Sequence, residues 1–543
     1  MKRLLFQIHR WLGISAALFM VLWFFSGLVI IYAPALNQSK LQQQAHAETL
    51  KVESGWLSLG EAWQASAGAR REAAKASRPD SVPNSGQRAQ ADGNHAEASS
   101  ARTDAEIVDA SLVRHAGLPV WLVDDSRGRR YAISAIDGSL HRTSGEEALV
   151  IAAAWADDKA VSPRLVETAD QFASLRNSEG LRPFHRVALD DGAGRELIIS
   201  ARSGEVLQDA TRVDRALYWA GNWLHMFRPL DFVGWGSARH DVLTWVSGVA
   251  LISALTGLII GWLRWRPGWF GRPTYAEGRT QPYRAPWFRW HFWAGLTGGV
   301  LAFLWVLSGF LNNNPWHLFG QASPSREEIA KYRGAEVPQS MMTWQPSPMA
   351  VWLDSTIVEL SWHRLGDEAV LIAHDRSGQR IARDTGRASF SVFALDAAIR
   401  RIGDNARIER RTPQSDYDAY YYPRHNRSPA ERPLPVIRAE LDDDVHTVFY
   451  IDPADGRILA RQDDSRRTFR WLFSALHHWD FGWLYQSPLW DVWMVAWCLA
   501  GLVLSVTATV IGWRRLGRTL SFRQRNTTLA SQEEPLVTEN PGA

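Results

Sequence analysis

The sequence predicts a membrane protein of four transmembrane α-helices in a duplicated arrangement, with two small α+β domains in its long polar segments. Three observations predict it. Four apolar runs, at about residues 11–33, 242–263, 292–311 and 492–513, reach the roughly 20 residues that a bilayer crossing needs. Two long polar segments, 34–238 and 312–489, show short alternating strands separated by turn residues. The chain also repeats itself: span one overlays span three 282 residues on, and the polar segments overlay at 252.

Composition narrows the function classes. A net charge of +3 over 543 residues excludes a large nucleic-acid footprint. The single cysteine, Cys498, sits inside an apolar run. It excludes a disulfide framework, a cysteine zinc site, an iron–sulfur cluster and a CxxCH haem attachment. The 28 tryptophans suit a protein with wide membrane interfaces, where an indole is half apolar and half wet.

In chain order, residues 1–33 hold a basic N-terminus and the first span. This run is longer than a signal-peptide core and is followed by no small-x-small cleavage site, so it is read as a span. Residues 34–215 form the first α+β domain, interrupted at 65–107 by a linker rich in Ala, Ser, Arg, Gly and Asp without aromatics. A membrane-proximal helix and loop, 216–239, lead to span two at 240–263. The loop 264–289 carries six arginines, from Arg264 to Arg289, against Glu277 alone. Span three, 290–311, is followed by the second α+β domain, 312–467, a membrane-proximal helix and loop, 468–489, span four, 490–513, and a basic tail, 514–543. Basic residues mark the cytoplasmic side. That puts both termini and the 264–289 loop inside the cell and both polar segments outside, in the periplasm of a Gram-negative inner membrane.

Within the polar segments, YAISAIDGSL, LIISARSGEVL, VLIAHDRSGQRI and VFYIDPADGRIL each read as strand, Asp/Ser-Gly turn, strand. FSVFALDAAIRRI reads as a helix.

The repeat singles out four of the 16 histidines. HRWLG…SG in span one matches HFWAG…SG in span three, pairing His9 with His291, Trp23 with Trp305, Ser26 with Ser308 and Gly27 with Gly309. ALYWAGNWLH matches FRWLFSALH, pairing Trp219 with Trp471 and His225 with His477. Each half therefore runs histidine, span, polar domain, histidine, span. Ionisable side chains at membrane depth are costly without a partner, so their symmetric recurrence points to cofactor ligation rather than to interfacial anchoring. Neutral imidazole suits haem iron, zinc or copper. Two histidines without nearby acid or thiol ligands make a poor zinc site, whereas two facing each other in a helix bundle suit a six-coordinate, non-covalent haem b. The expectation is two haems b per chain, with His9 and His291 as axial ligands of one and His225 and His477 of the other. Gly13 and Gly295, one turn deeper than their histidines, leave room for a porphyrin edge or serve helix packing, and nearby arginines suit haem propionates. His478, His240 and His317 are alternative ligands; the repeat mate of His240 is Trp490.

These residues resemble the PepSY-associated transmembrane (PepSY-TM) family. The resemblance rests on HRWLG with its later SG, on YAISAIDGSL and SARSGEVL, on SDYDAYYYPRHN followed by RPLPVIRAELDD and YIDPADGRIL, and on the LH before spans two and four. Members of this layout are similar to inner-membrane ferric-siderophore reductases. The resemblance implies PepSY-like periplasmic domains, b-type haems between the spans, and one-electron reduction of a ferric chelate, which releases iron because siderophores hold ferrous iron weakly. The basic loop is short and lacks GxGxxG, so a separate cytoplasmic reductase or a membrane quinol is the expected electron donor. SDYDAYYYPRHN offers Tyr420, Tyr421, Tyr422 and Arg424 as candidates for an anionic, aromatic chelate; the alternative is a tyrosine-rich strand packed in a sheet.

Two rival functions stand beside this one. A membrane-anchored regulatory or partner-binding protein of the PepSY type needs no matched histidines. A transporter wants charge at mid-membrane, and these spans lack internal Asp, Glu and Lys.

Overall fold

The computed structural model describes residues 2–76, 106–156, 161–175, 178–269, 271–347, 356–382, 389–424 and 429–532. They fall into a helical unit, made of Met1–Pro34, Ala216–Phe319 and Thr468–Ala543, and a polar unit, made of Ala35–Arg215 and Gly320–Arg467.

The helical unit is built on four long helices: Lys2–Tyr32, Arg239–Arg264, Pro286–Asn312 and Leu489–Gln532. Each is long and apolar enough to cross a membrane, the fourth over Leu489–Arg518. The third starts at Pro286, where the missing N–H is no loss. The fourth continues to Gln532, beyond the expected end of span four, so the first part of the tail is helix. The first and third helices each pack against both the second and the fourth, which puts the first and third on a diagonal of the bundle. Small residues let the helices approach closely. A Cβ on Gly501 would run into the ring of Phe24, which itself meets Trp305 edge-to-face at 5.9 Å.

Ahead of the second and fourth spans the chain makes short π-helical turns at Trp219–Trp223 and Arg470–Ala475. Both are followed by an aromatic residue in the left-handed region, Phe227 (φ 51°) and Trp479 (φ 53°). Bulky residues adopt that conformation only when their surroundings impose it. Phe227 is held between the Trp23 ring, stacked at 5.3 Å, and the Phe19 ring at 5.4 Å.

The polar unit contains 15 strands among the described residues. β1 (Ile107–His115), β2 (Leu118–Asp125), β3 (Arg130–Ser134) and β4 (Leu140–His141) precede β5 (Arg164–Ala169), β6 (Phe184–Ala188), β7 (Glu196–Ser200) and β8 (Val206–Ala210). β9 (Ile357–Leu365), β10 (Glu368–Asp375) and β11 (Arg380–Ala382) precede β12 (Arg407–Gln414), β13 (Val436–Asp442), β14 (Val448–Ile451) and β15 (Ile458–Gln462). The four hairpins read from the sequence are β3–β4, β7–β8, β10–β11 and β14–β15, and FSVFALDAAIRRI supplies the helix Val392–Ile402.

The expected division into two separate domains does not hold. β1 pairs antiparallel with β9, so strands of both polar segments form one seven-stranded sheet in the order β11-β10-β9-β1-β2-β3-β4. An exposed edge strand is a liability, and joining two edges removes both. At the join Ser111 stands opposite Ser361, each four residues before the end of its strand. Trp121, Leu112, Leu360 and Trp362 fill one face. Each segment then adds a four-stranded antiparallel sheet, β5–β8 or β12–β15. The helix Gly145–Ala156 buries Ala148, Ile151, Ala152 and Trp155 against the first, and the helix Val392–Ile402 buries Leu395, Ala398 and Ile399 against the second.

Part of the expected linker at 65–107 is helical. A helix runs over Ala67–Ala76, with the Arg70 guanidinium 3.2 Å from the centre of the Trp63 ring, and residues 77–105 lie outside the described residues.

One buried charge fastens the sheet. Glu359 on β9 accepts a hydrogen bond from the Gln44 amide (2.9 Å) and pairs with Lys40 at 2.8 Å. Burial pushes its carboxyl up, but the Lys40 ammonium and neighbouring donors reverse this and hold it below the usual range. A depressed carboxyl contributes stability above its unfolded pKa that is lost as pH falls. Lys40→Met should destabilise the chain at pH 7 by on the order of 2 kcal/mol, discounted for the half-exposed ammonium. The deficit should shrink as pH falls through the carboxylate range. Thermal unfolding at pH 7 and pH 4 checks this; an equal deficit at both contradicts it.

Candidate functional site: two imidazole pairs

His9 lies in the third turn of the first helix and His291 in the second turn of the third. Because those helices are diagonal, the rings meet across the bundle, with centres 6.4 Å apart and planes tilted by 39°. His9 Nδ1 is 3.1 Å from the Ser253 carbonyl and 3.4 Å from Thr256 Oγ1. His291 Nδ1 is 3.2 Å from the Leu504 carbonyl and 3.3 Å from Thr507 Oγ1. A carbonyl only accepts, so both Nδ1 atoms carry the proton.

His225 and His477 follow the π-helical turns. Their ring centres are 6.3 Å apart, with planes at 78°. His225 Nδ1 meets Ser26 Oγ at 3.0 Å, and His477 Nδ1 meets Ser308 Oγ at 3.0 Å. Each serine hydroxyl donates its own hydrogen to a backbone carbonyl, Ser26 to Leu22 at 2.6 Å and Ser308 to Trp305 at 2.9 Å. The serine oxygens therefore accept, and Nδ1 again carries the proton. The backbone carbonyls of the two histidines accept from Trp23 Nε1 (3.1 Å) and Trp305 Nε1 (3.0 Å). Burial lowers the basicity of both imidazoles, to about 3 at His225, where the His477 ring adds to the effect, and to about 4 at His477. Both rings are neutral.

All four imidazoles thus have Nδ1–H tied to protein oxygen, which leaves the Nε2 lone pair for a metal. This is the usual outer-shell arrangement of a ligating histidine. A linear N–metal–N unit with bonds of about 2 Å, plus about 1.1 Å from each nitrogen to its ring centre, sets ring centres about 6.2 Å apart. Both pairs have that spacing. Among the described residues no group of three or more His, Cys, Asp or Glu side chains is placed to hold a metal ion. Each pair therefore offers two axial nitrogens and nothing else, a donor set that fits an iron porphyrin, which brings its own four nitrogens. His9 and Ser26, the anchor of His225, are 17 residues apart on one helix, as are His291 and Ser308. At about 1.5 Å per residue the two pairs are separated by about 25 Å along the bundle.

The alternatives lie elsewhere. His240 is exposed, with Nε2 2.7 Å from the Asn313 carbonyl. His317 sits in a left-handed turn (φ 54°) and is exposed. His478 packs edge-on to Phe473 and to His477, and it is His477 that opposes His225.

Of the two roles expected of Gly13 and Gly295, the contacts match helix packing. Gly13 and Gly295 serve packing: a Cβ on either would touch Ser253 or Leu504 at 3.4 Å. The glycine that makes room for an imidazole is Gly257, where a Cβ would fall 2.8 Å from His9 Cε1. Of the neighbouring arginines, Arg264 lies over the Phe6 ring at 4.8 Å and Arg470 pairs with the buried Asp480 at 3.0 Å.

The tyrosine segment is not a strand; β12 ends at Gln414 before it. Tyr421 is fully buried, stacked on Tyr450 at 5.0 Å with its hydroxyl donated to the Pro433 carbonyl (2.8 Å), so it packs the sheet and cannot meet a substrate. Tyr420 lines a cavity of about 190 Å³ with Arg438, Glu440, His446 and Arg467. Tyr422 is half-buried and Arg424 exposed, and His425 lies outside the described residues.

A family model described as PepSY-associated TM region matches residues 6–393, a span that takes in His9, His225 and His291. No curated protein matches the chain.

Gly257→Val should crowd the His9 ring and cost about 1–3 kcal/mol in unfolding of the detergent-solubilised protein. Gly261→Val, where a Cβ would stop 4.0 Å from Leu296, should cost less. Equal losses would contradict the placement of His9.

Proposed function

The chain belongs to the PepSY-associated TM family, and on that premise we propose that it is a dihaem b-type oxidoreductase of a bacterial inner membrane, reducing a periplasmic ferric chelate such as a ferric siderophore. The observation that carries the reading is the two imidazole pairs, each 6.3–6.4 Å apart with every Nδ1 hydrogen-bonded. His9 and His291 would hold one haem and His225 and His477 the other, through Nε2. When bound, the group supplies a one-electron carrier that cycles between ferrous and ferric iron.

The protein's own residues define the rest. Two histidines on each iron would leave no open position, which favours electron transfer over oxygen chemistry. Phe24, Trp305 and Met494 belong to a buried apolar cluster of the bundle, a low-dielectric surrounding for an electron carrier. The separation of about 25 Å covers most of a hydrocarbon core of about 30 Å. Exposed Trp245, Trp262, Trp290 and Trp513 suit the two interfaces. The arginines of the 264–289 loop and of the tail support a cytoplasmic position for the His9–His291 end, where a separate reductase or a quinol would donate electrons. The polar unit then faces the periplasm, and the matching contacts of Ser26 and Ser308, and of Trp23 and Trp305, support a duplicated two-span ancestor.

His9→Ala and His225→Ala should each purify with one haem instead of two, and the two variants should lose different ones. In proteoliposomes with a membrane-impermeant reductant sealed inside and a ferric chelate outside, ferrous iron should form outside at a rate that either substitution cuts at least tenfold. Undiminished rates in both variants would refute the conduit.

A further inference from the structure

The two imidazole pairs are not equivalent, and the difference lies in what holds each Nδ1. Each ring of the His9–His291 pair shares its Nδ1–H between a backbone carbonyl and a threonine hydroxyl, Ser253 with Thr256 and Leu504 with Thr507. Each ring of the His225–His477 pair has a serine oxygen alone, Ser26 or Ser308, already committed to its own backbone carbonyl. A stronger pull on Nδ1–H makes the opposite nitrogen a better donor, and a better donor favours ferric over ferrous iron. The plane angles act in the same sense. At 39° both rings donate π density largely to one iron orbital and stabilise the ferric state. At 78° they donate to two different orbitals, leaving these close in energy and the ferric ion less stabilised.

Resting on the dihaem reading, we propose that the His225–His477 site is the higher-potential one because Ser26 and Ser308, as positioning residues, give its imidazoles weaker Nδ1 acceptors than the carbonyls at His9 and His291. A single electron added to the loaded protein then settles at His225–His477 and leaves the His9–His291 site ferric. The serines fix the crossed ring planes and withhold the stronger carbonyl acceptor. The bias favours electron flow from the His9–His291 end to the other, with no proton moved, because both Nδ1–H groups stay bonded in either oxidation state.

The test is a potentiometric titration of the haem-loaded full chain, followed by electron paramagnetic resonance. Crossed axial planes give a low-spin ferric signal of large maximal g, and the less crossed pair gives an ordinary rhombic signal. Both signals are expected in the oxidised protein, and the large-g signal should vanish first on reduction. It should be absent from His225→Ala. In Ser26→Ala/Ser308→Ala, with two haems retained, only the large-g signal should move, with an upward shift of that site's midpoint, and threonine at both positions should restore it. A large-g signal that titrates at the lower potential, or two indistinguishable midpoints, overturns the proposal even if the double variant fails to fold. A protein that takes up no haem overturns the dihaem reading as well, so the two failures are distinguishable.

Discussion

Everything in the helical unit depends on where the Nδ1 proton of each buried imidazole goes. A neutral imidazole has one donor and one acceptor nitrogen, and fixing the donor fixes the other. Four oxygens fix the donors: the carbonyls of Ser253 and Leu504 and the hydroxyls of Ser26 and Ser308. With those donors fixed, the ring centres stand 6.3 Å apart at one pair and 6.4 Å at the other. Other features serve this arrangement. The π-helical turns and the left-handed Phe227 and Trp479 bring His225 and His477 in from the ends of the bundle, the tryptophans clamp their backbones, and Gly257 leaves space for His9. Local irregularity of this kind collects at functional sites because regular helix cannot deliver it.

The polar unit follows a different constraint, the satisfaction of strand edges. In each polar segment the first two strands, β1–β2 or β9–β10, form a hairpin, which by itself would leave the outer edge of its first strand open. Pairing β1 with β9 around Ser111 and Ser361 closes both edges at once. The segments therefore form a single unit, with Glu359 and Lys40 fastening β9 to the helix Lys40–Ala45.

Much of this was legible in the sequence, and the exceptions are instructive. The spans, the four hairpins and the helix Val392–Ile402 follow from local period and turn chemistry. The four histidines were legible because a repeat marks them twice. Ser26 and Ser308 were visible as identities within the SG pair, but their role was not, since the partners are 199 and 169 residues away in the chain. Gly257 carries no repeat signal at all. The β1–β9 pairing was missed because edge complementarity is a long-range property that no window of sequence contains. Which of the two roles Tyr421 takes was not legible for a related reason: three adjacent tyrosines look alike until the fold stacks one of them on Tyr450.

The most direct test of the central claim is a visible spectrum of the purified full chain from haem-replete cells, oxidised and then dithionite-reduced, with haem quantified per chain. Two imidazole pairs with ring centres 6.3–6.4 Å apart and every Nδ1 hydrogen-bonded predict sharp, low-spin b-type bands on reduction and two haems per chain. A colourless protein would show that the imidazole pairs hold no porphyrin.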